Sequence, residues 1–318
     1  MGHGSYSHEA HAALVAERTE LPVQDVFRQR QCHPLMAPKG VRVRECRDSA
    51  AHPNTRAIAF ALDVTGSMGH IPDLLARTEL PSFMRLLEQF GVTDPAVLFC
   101  AFGDATSDHA PLQIGQFEAT AELMDFWLTS TYLEGGGGPG MCESYELALY
   151  FLAEHTATDN WEKRAERGFL FMSGDEHPYP TVSARLVEAV IGDRVDADIP
   201  TEAVVAALQE KWEPFFLIPD PGRRARVERR WKDLLGENVI TLAAPEDTAE
   251  VCALLVALGS QGLPDLEAGA ARLRAGGVDA ARIGRILKAV TPYAASLGRA
   301  RGGVSAEGEG WWKRFFGS

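Results

Sequence analysis

Ala57-Ile58-Ala59-Phe60-Ala61-Leu62-Asp63-Val64-Thr65-Gly66-Ser67 is the most informative stretch of the chain. Its first six residues are apolar without alternation, which is typical of a central parallel strand that helices cover on both faces. Asp63 ends the apolar run, and hydroxyl side chains follow two and four positions later. The stretch therefore predicts a buried strand whose carboxyl end carries oxygen-bearing side chains.

Apolar strands and helical segments alternate through the rest of this region. We predict further strands at 96–102, 112–114 (an edge strand), 168–172, 215–218 and 239–242. We predict helices at 71–90, broken near Pro81, and at 118–129, 143–155, 201–211, 223–235 and 247–258. This order predicts an α/β fold with a doubly wound, mostly parallel, Rossmann-like sheet and helices on both faces.

The flanking segments differ in character from this central region. We predict an N-terminal extension at 1–53 that packs on the domain, with a helix at 8–18, and an α/β domain at 54–262. Helices at 266–274 and 280–290 predict a helical appendage at 263–300. Residues 301–318 are predicted to be a flexible tail whose aromatic and basic end anchors in a groove or at a membrane surface, with packing onto the domain as the alternative.

Composition excludes several classes of protein. The formal net charge of −13 disfavours binding to nucleic acid. The sequence has no apolar run of about eighteen residues and no basic-then-apolar N-terminal signal, so we expect a cytoplasmic protein without an integral membrane segment. The five cysteines are scattered and form no Cys-x-x-Cys pair, which predicts reduced thiols.

Three loops with oxygen-bearing side chains follow the predicted strands: 63–67, 134–144 and 173–175. Ligands of open α/β sheets bind outside the carboxyl ends of the strands, so these loops are expected to meet at one edge. Carboxylates, hydroxyls and water are the ligands that a hard divalent cation prefers. The sequence thus predicts a site for Mg²⁺, with Mn²⁺ or Ca²⁺ as alternatives.

The three loops resemble those of a known family. Asp63-x-Thr65-x-Ser67 is similar to the Asp-x-Ser-x-Ser signature of von Willebrand factor A (vWA) domains, their metal-ion-dependent adhesion site (MIDAS). Gly135-Gly136-Gly137-Gly138 resembles the second metal loop of that family, and 169–175 resembles its fourth strand with a terminal aspartate. The resemblance covers 54–262 and is to the intracellular bacterial type.

The resemblance implies a set of metal ligands. Thr65 and Ser67 would bind the metal directly, and Asp63 and Asp175 would be its acidic anchors. The threonine ligand of the family falls on Glu143, with Ser144 beside it, so Glu143 is either a third carboxylate at the metal or a cap of the following helix. One coordination position would stay open for a carboxylate from a partner protein, of which an ATPase is one candidate.

Two other functions are consistent with the same residues. The loop from Asp63 to Ser67 also resembles the nucleophile loop of haloacid-dehalogenase-type phosphotransferases, in which Asp63 would attack phosphorus. Those enzymes need a phosphate-binding lysine between the two motifs, where this chain has only Lys163. The third possibility is a metal-free structural scaffold.

Further polar groups lie close to these motifs in the sequence. Asp104, Glu176 and His177 fall on the same predicted edge, where they either support the metal ligands or belong to the solvated surface. A cluster of arginines on one predicted helix forms a solvated basic face or a patch for an acidic partner; it consists of Arg223, Arg224, Arg226, Arg229 and Arg230.

Overall fold

The computed structural model describes residues 4–66, 68, 70–136 and 141–300. Three predictions about the site and the tail fall wholly or partly on residues outside these ranges. They concern Ser67 as a metal ligand, Gly137 and Gly138 of the glycine run, and the tail at 301–318.

The strands of the described residues are, in chain order, β1 (Arg44–Cys46), β2 (Arg56–Asp63), β3 (Pro95–Phe102), β4 (Leu112–Ile114), β5 (Cys142–Glu143), β6 (Thr156–Thr158), β7 (Gly168–Ser173), β8 (His177–Pro178), β9 (Thr181–Val182), β10 (Ile199–Pro200), β11 (Trp212–Ile218) and β12 (Val239–Thr241).

The α-helices are α1 (His8–Arg18), α2 (Val23–Val26), α3 (His70–Leu74), α4 (Leu80–Gln89), α5 (Ala121–Thr129), α6 (Tyr145–Glu154), α7 (Asp159–Glu162), α8 (Ala184–Leu186), α9 (Thr201–Lys211), α10 (Arg224–Leu235), α11 (Thr248–Gly259), α12 (Leu266–Ala275) and α13 (Ala280–Ala300). Segments Leu75–Glu79 and Val187–Ile191 are π-helical, and short 3₁₀ turns occupy Pro34–Met36, Pro221–Arg223, Gly236–Asn238 and Pro245–Asp247.

Six strands form the central sheet in the order β12-β11-β7-β2-β3-β4. All neighbouring pairs are parallel except β3 and β4, which are antiparallel. The α/β class with a mostly parallel sheet is therefore confirmed, and so is the short edge strand at 112–114. In the sheet, β2 lies between β3 and β7. The longest parallel ladder joins β2 to β3 and runs from Arg56 opposite Pro95 to Asp63 opposite Phe102.

Hydrophobic cores lie on both faces of the sheet because successive side chains of a strand point to opposite sides. Ile58, Phe60 and Leu62 of β2 belong to a cluster built with α4, α11 and α13. The alanines between them face a second cluster built with α6, α9 and α10. Burial on both sides explains why β2 carries no alternation of apolar and polar residues.

Two helix boundaries differ from the sequence predictions. The helix predicted at 118–129 begins only at Ala121, because Glu118 forms a bridge with Val97 and Thr120 provides the N-cap. The helix predicted at 280–290 continues through Pro292 to Ala300. Tyr293 is 1% exposed and packs edge-on against Phe215, with ring centroids 4.9 Å apart, so tertiary packing offsets the cost of the proline.

The helix predicted at 71–90 is interrupted close to the predicted position. A π-helical segment separates α3 from α4, and Pro81 lies in the first turn of α4. A proline is tolerated there because the first N–H groups of a helix have no intrahelical acceptor. The interruption therefore lies just before Pro81, near the predicted position.

Residues 4–53 contact the central region at several points. Strand β1 pairs with β6 in a parallel register. Arg77 donates hydrogen bonds to the carbonyl oxygens of Arg18 and Leu21 at the end of α1. Within the described residues, no helix has both the length and the apolar character that crossing a membrane requires.

We expect Gly168→Ala at the start of β7 to destabilise the protein by about 1–3 kcal/mol, as overpacked cores do. An added Cβ would lie 2.7 Å from Cζ3 of Trp212 and 3.1 Å from the carbonyl oxygen of Ala57. The indole cannot move aside easily because it is 1% exposed. Urea unfolding measures the loss.

The matched control is Gly298→Ala in α13, where no atom lies within 4 Å of an added Cβ. Replacing a helical glycine by alanine is expected to stabilise by roughly 0.5–1 kcal/mol. Equal stability of Gly168→Ala and the wild type would contradict the packing described here.

Candidate functional site

The site lies at the carboxyl edge of the sheet, where β2 and β7 end side by side. Leu62 pairs with Ser173, and Asp63 and Asp175 follow on the two strands. The chain leaves β2 towards β3 on one side, whereas β7 continues towards β11 on the other. Ligands of doubly wound sheets bind where the strand order reverses in this way.

Asp63 organises the first loop through hydrogen bonds to Thr65. Oδ1 of Asp63 accepts the backbone N–H of Thr65 at 2.9 Å and its hydroxyl at 2.6 Å. Both residues are buried, with 0% and 3% exposure. Because the Thr65 hydroxyl donates its proton to the carboxylate, its oxygen lone pairs are left for a cation.

The second oxygen of Asp63 contacts α6. The Tyr145 hydroxyl donates to Oδ2 of Asp63 at 3.3 Å. Burial, together with the negative charge of Asp175, raises the pKa of Asp63 to about 7, although the hydrogen bonds from Thr65 and Tyr145 oppose the shift. Gly174 makes this arrangement possible, because a Cβ at that position would overlap the Tyr145 hydroxyl.

The glycine run contacts the first loop through backbone groups. The N–H of Gly66 donates to the carbonyl of Gly136 at 2.7 Å, and the N–H of Gly135 donates to the carbonyl of Val64 at 3.3 Å. A Cβ at Gly66 would lie 3.1 Å from the oxygen of Gly135, which itself has φ +66°. Glycine is therefore needed here for close approach and for the left-handed conformation.

Glu143 brings an additional carboxyl group into the site. It is 5% exposed, and its Oε2 is buried without a hydrogen-bond partner. Burial raises the pKa of Glu143 to about 9, and the charges of Asp63 and Asp104 add to the shift. Ser144 is the N-cap residue of α6, and Glu143 lies one residue before it. Glu143 is therefore not the cap of this helix.

Asp104 lies buried at the same edge. The sequence alone is equally consistent with an exposed position on the surface. Asp104 is 1% exposed and accepts hydrogen bonds from the Thr106 N–H at 2.9 Å, the Thr106 hydroxyl at 2.7 Å and the Tyr179 hydroxyl at 3.0 Å. Asp104-x-Thr106 after β3 repeats the Asp63-x-Thr65 pattern after β2. That repetition is the signal that could have identified it.

Asp108 was not singled out by sequence reasoning. Its Oδ2 accepts the backbone N–H of Asp104 at 2.7 Å. A Cβ at Gly103 would collide with this carboxylate, and a Cβ at Gly136 would lie 2.8 Å from Oδ1. No pattern around Asp108 indicates this position, because a turn at 104–108 brings it back to the edge.

Two arginines of the basic cluster pair with acids of the third loop. Nη1 of Arg223 lies 3.0 Å from Oδ2 of Asp175, which is 2% exposed. Nη2 of Arg226 lies 2.6 Å from Oε1 of Glu176. The cluster is thus not merely a solvated basic face, since it neutralises part of the acidic edge.

The carboxyl groups are crowded but do not converge on one point. Among the described residues, no three His, Cys, Asp or Glu side chains form a group that could hold a metal ion. Asp63 and Thr65 meet directly, Glu143 lies within electrostatic range of Asp63, and Asp175 pairs with Arg223. Ser67 belongs to the residues that the structure leaves undescribed.

Lys163 is remote from this edge. It lies between α7 and the first residue of β7, which is the amino end of that strand. Its Nζ is 2.6 Å from Asp159 and 3.2 Å from Asp48. Asp63 and Asp175, in contrast, follow the carboxyl ends of β2 and β7.

No protein-family model matches the chain, and no curated protein matches it. Among solved structures, the chain is similar to the pilus adhesin SpaC from Lactobacillus rhamnosus GG in its open conformation, with 11% identity, a TM-score of 0.44 and coverage of 67% of this chain and 31% of that chain. It is also similar to proximal thread matrix protein 1 from the mussel byssus, with 11% identity, a TM-score of 0.41 and coverage of 69% and 49%. The chain thus spans less than half the length of either structure, and similarity at this level assigns neither a fold family nor a function.

The raised pKa of Glu143 predicts how stability depends on pH in metal-free protein. The unfolded chain releases this proton near its usual pKa of 4.5, whereas the folded chain retains it up to about 9. Stability is therefore fully present below the lower value and is lost as pH rises towards the higher one. Glu143→Gln removes this contribution, so its urea midpoint should fall less between about pH 5 and about pH 9 than that of the wild type.

Glu154→Gln serves as the control. It removes an exposed carboxylate at the last residue of α6, the helix that follows Glu143, and does not alter the edge of the sheet. Chelator-treated samples are used throughout. Identical pH slopes for the wild type and Glu143→Gln would show that the Glu143 carboxyl is not held in the environment described here.

Proposed function

We propose that this protein is a metal-dependent protein-interaction module of the vWA type, in which a divalent cation at the carboxyl edge of the sheet recruits an acidic side chain of a partner. The crowding of buried carboxyl groups at this edge carries the proposal, since Glu143 avoids a buried charge in the metal-free protein only by keeping its proton. Glu143 is buried with an unpartnered oxygen beside Asp63 and Asp104, and burying carboxylates without opposite charge is costly. A divalent cation would relieve that cost.

The donors present suit a hard cation. Asp63 and Thr65 offer a carboxylate and a hydroxyl in one loop, and oxygen ligands of this kind favour Mg²⁺, with Mn²⁺ or Ca²⁺ as alternatives. Ser67 would add a second hydroxyl. Since hydroxyls and water would supply most ligands, the site needs fewer carboxylates than an all-acid cage.

Asp175 would act at longer range than the first loop. Its Oδ2 contacts the guanidinium of Arg223, so a cation would reach it through water or after that arginine moves. A partner carboxylate would then complete the coordination. Met141 is 59% exposed beside β5 and offers an apolar contact next to the entry. An ATPase remains one candidate partner.

The placement of Lys163 weighs against a phosphotransferase. The lysine that would hold the phosphate belongs beside the nucleophile, yet Lys163 lies at the amino end of β7 in ion pairs with Asp48 and Asp159. Both oxygens of Asp63 also accept hydrogen bonds, which lowers their nucleophilicity. These observations favour a binding module over the enzyme.

Asp63→Ala should abolish binding of Mg²⁺ and Mn²⁺ measured by calorimetry, because it removes the acidic anchor and the acceptor that orients Thr65. The control is Asp196→Ala, which removes an exposed carboxylate from a loop outside the site and should leave affinity unchanged. Circular dichroism verifies that both variants fold.

Wild-type protein without measurable metal binding would instead support the metal-free scaffold. Metal-dependent hydrolysis of p-nitrophenyl phosphate that disappears in Asp63→Ala would contradict the binding module and favour the phosphotransferase.

Glu143→Thr tests whether Glu143 contacts the cation. As a ligand, the carboxylate holds the metal more tightly but weakens its attraction for an acidic partner, because like charges repel in a partly desolvated site. Glu143→Thr should then bind Mg²⁺ several-fold more weakly and bind an acidic peptide more strongly when metal is present. Unchanged metal affinity would remove Glu143 from the ligand set and leave water or Ser144 in that position.

A further inference from the structure

A cavity of about 300 Å³ lies between α1, α2 and α5. Leu14, Leu21 and Val26 provide its apolar wall. The volume is at the lower end of the range of small-molecule sites in proteins. None of the residues that form the metal site proposed above borders it.

An ion pair between a buried arginine and a half-buried aspartate borders this cavity. Arg18 of α1 is 5% exposed and contacts Oδ1 of Asp125 in α5 through Nη2. Nε of Arg18 nevertheless has no hydrogen-bond partner, so the pair does not satisfy the guanidinium completely. Nε is closed off from solvent, so a ligand in the cavity would contact the pair through other atoms of the guanidinium and the carboxylate.

The lining carries both signs of charge. Glu17, Asp25 and Asp125 provide carboxylates, whereas Arg18 and Arg28 provide guanidinium groups. A simple anion meets a majority of carboxylates, and a simple cation meets the buried guanidinium. A molecule with a carboxylate next to an ammonium group matches both.

The walls of the cavity are held in place by hydrogen bonds. Arg77 donates to the carbonyl oxygens of Arg18 and Leu21, and it is itself oriented by Asp73 at 2.8 Å. The Thr129 hydroxyl donates to the carbonyl of Asp125 at 2.8 Å. The cavity is therefore a preformed feature between the N-terminal helices and α5, so a ligand need not organise it.

We propose that this cavity binds a small zwitterion, either a free amino acid or a dipeptide. Its carboxylate contacts the Arg18 guanidinium and its ammonium group contacts Asp125 and Asp25. The apolar wall receives the side chain of the ligand. Since α1 and α2 form one wall and α5 the other, the bound ligand would fasten the N-terminal region to the α/β core.

The experiment measures the melting temperature of the full chain with each of the twenty L-amino acids and with glycylglycine, in buffer containing EDTA. The chelator separates the outcome from that of the metal site. Acetate and ethylamine serve as probes that carry only one of the two charges. At least one zwitterion is expected to raise the melting temperature, with acetate and ethylamine inactive.

The variant Arg18→Met/Asp125→Leu removes both charges together, which avoids leaving one of them buried alone. It should bind the active zwitterion at least tenfold more weakly by calorimetry. The control is Arg224→Met/Glu228→Leu, which removes an exposed arginine and its half-buried glutamate partner from α10, outside the cavity, and should keep wild-type affinity.

Leu14→Trp tests the same cavity if the double variant does not fold, because it fills the space from a half-exposed position and keeps every charge. It should also weaken binding at least tenfold. The proposal is overturned if no zwitterion binds, if acetate or ethylamine binds equally well, or if affinity survives in the folded variants that alter the cavity.

Discussion

Burial of β2 on both faces is the constraint on which the rest of the structure depends. Large side chains such as Phe60 pack against one layer of helices, and the alanines between them pack against the other. A strand covered in this way has to lie in the middle of the sheet, with β3 and β7 as neighbours. Its last residue, Asp63, is thereby carried to an edge where other strands also end, which is how residues distant in sequence come to share one site.

The electrostatics of that edge follow from the same geometry. Several carboxyl groups lie where packing leaves little room for water, so burial raises the pKa values of Asp63 and Glu143. The protein compensates for part of this charge with Arg223 and Arg226, and for another part with hydroxyl and backbone donors. The buried carboxyl groups without such partners are the physical basis of the proposed cation site.

The N-terminal residues illustrate a different use of charge. Arg18 and Asp125 bring opposite charges into direct contact between α1 and α5, at the border of a cavity. Arg77 holds the end of α1 through its carbonyl oxygens. The acidic edge of the sheet and this mixed-charge cavity therefore lie on separate elements and are suited to ligands of different chemistry.

The sequence by itself determined the α/β class, the order of most elements and the loops that meet at the edge, because apolar periodicity and turn residues are local properties. Only the tertiary structure decided that Asp108 reaches the edge and that Arg223 contacts Asp175. The same holds for α13, whose continuation past Pro292 depends on contacts with β11. Each of these depends on how loops fold back and how distant elements pack, and the residues adjacent in sequence carry no record of it.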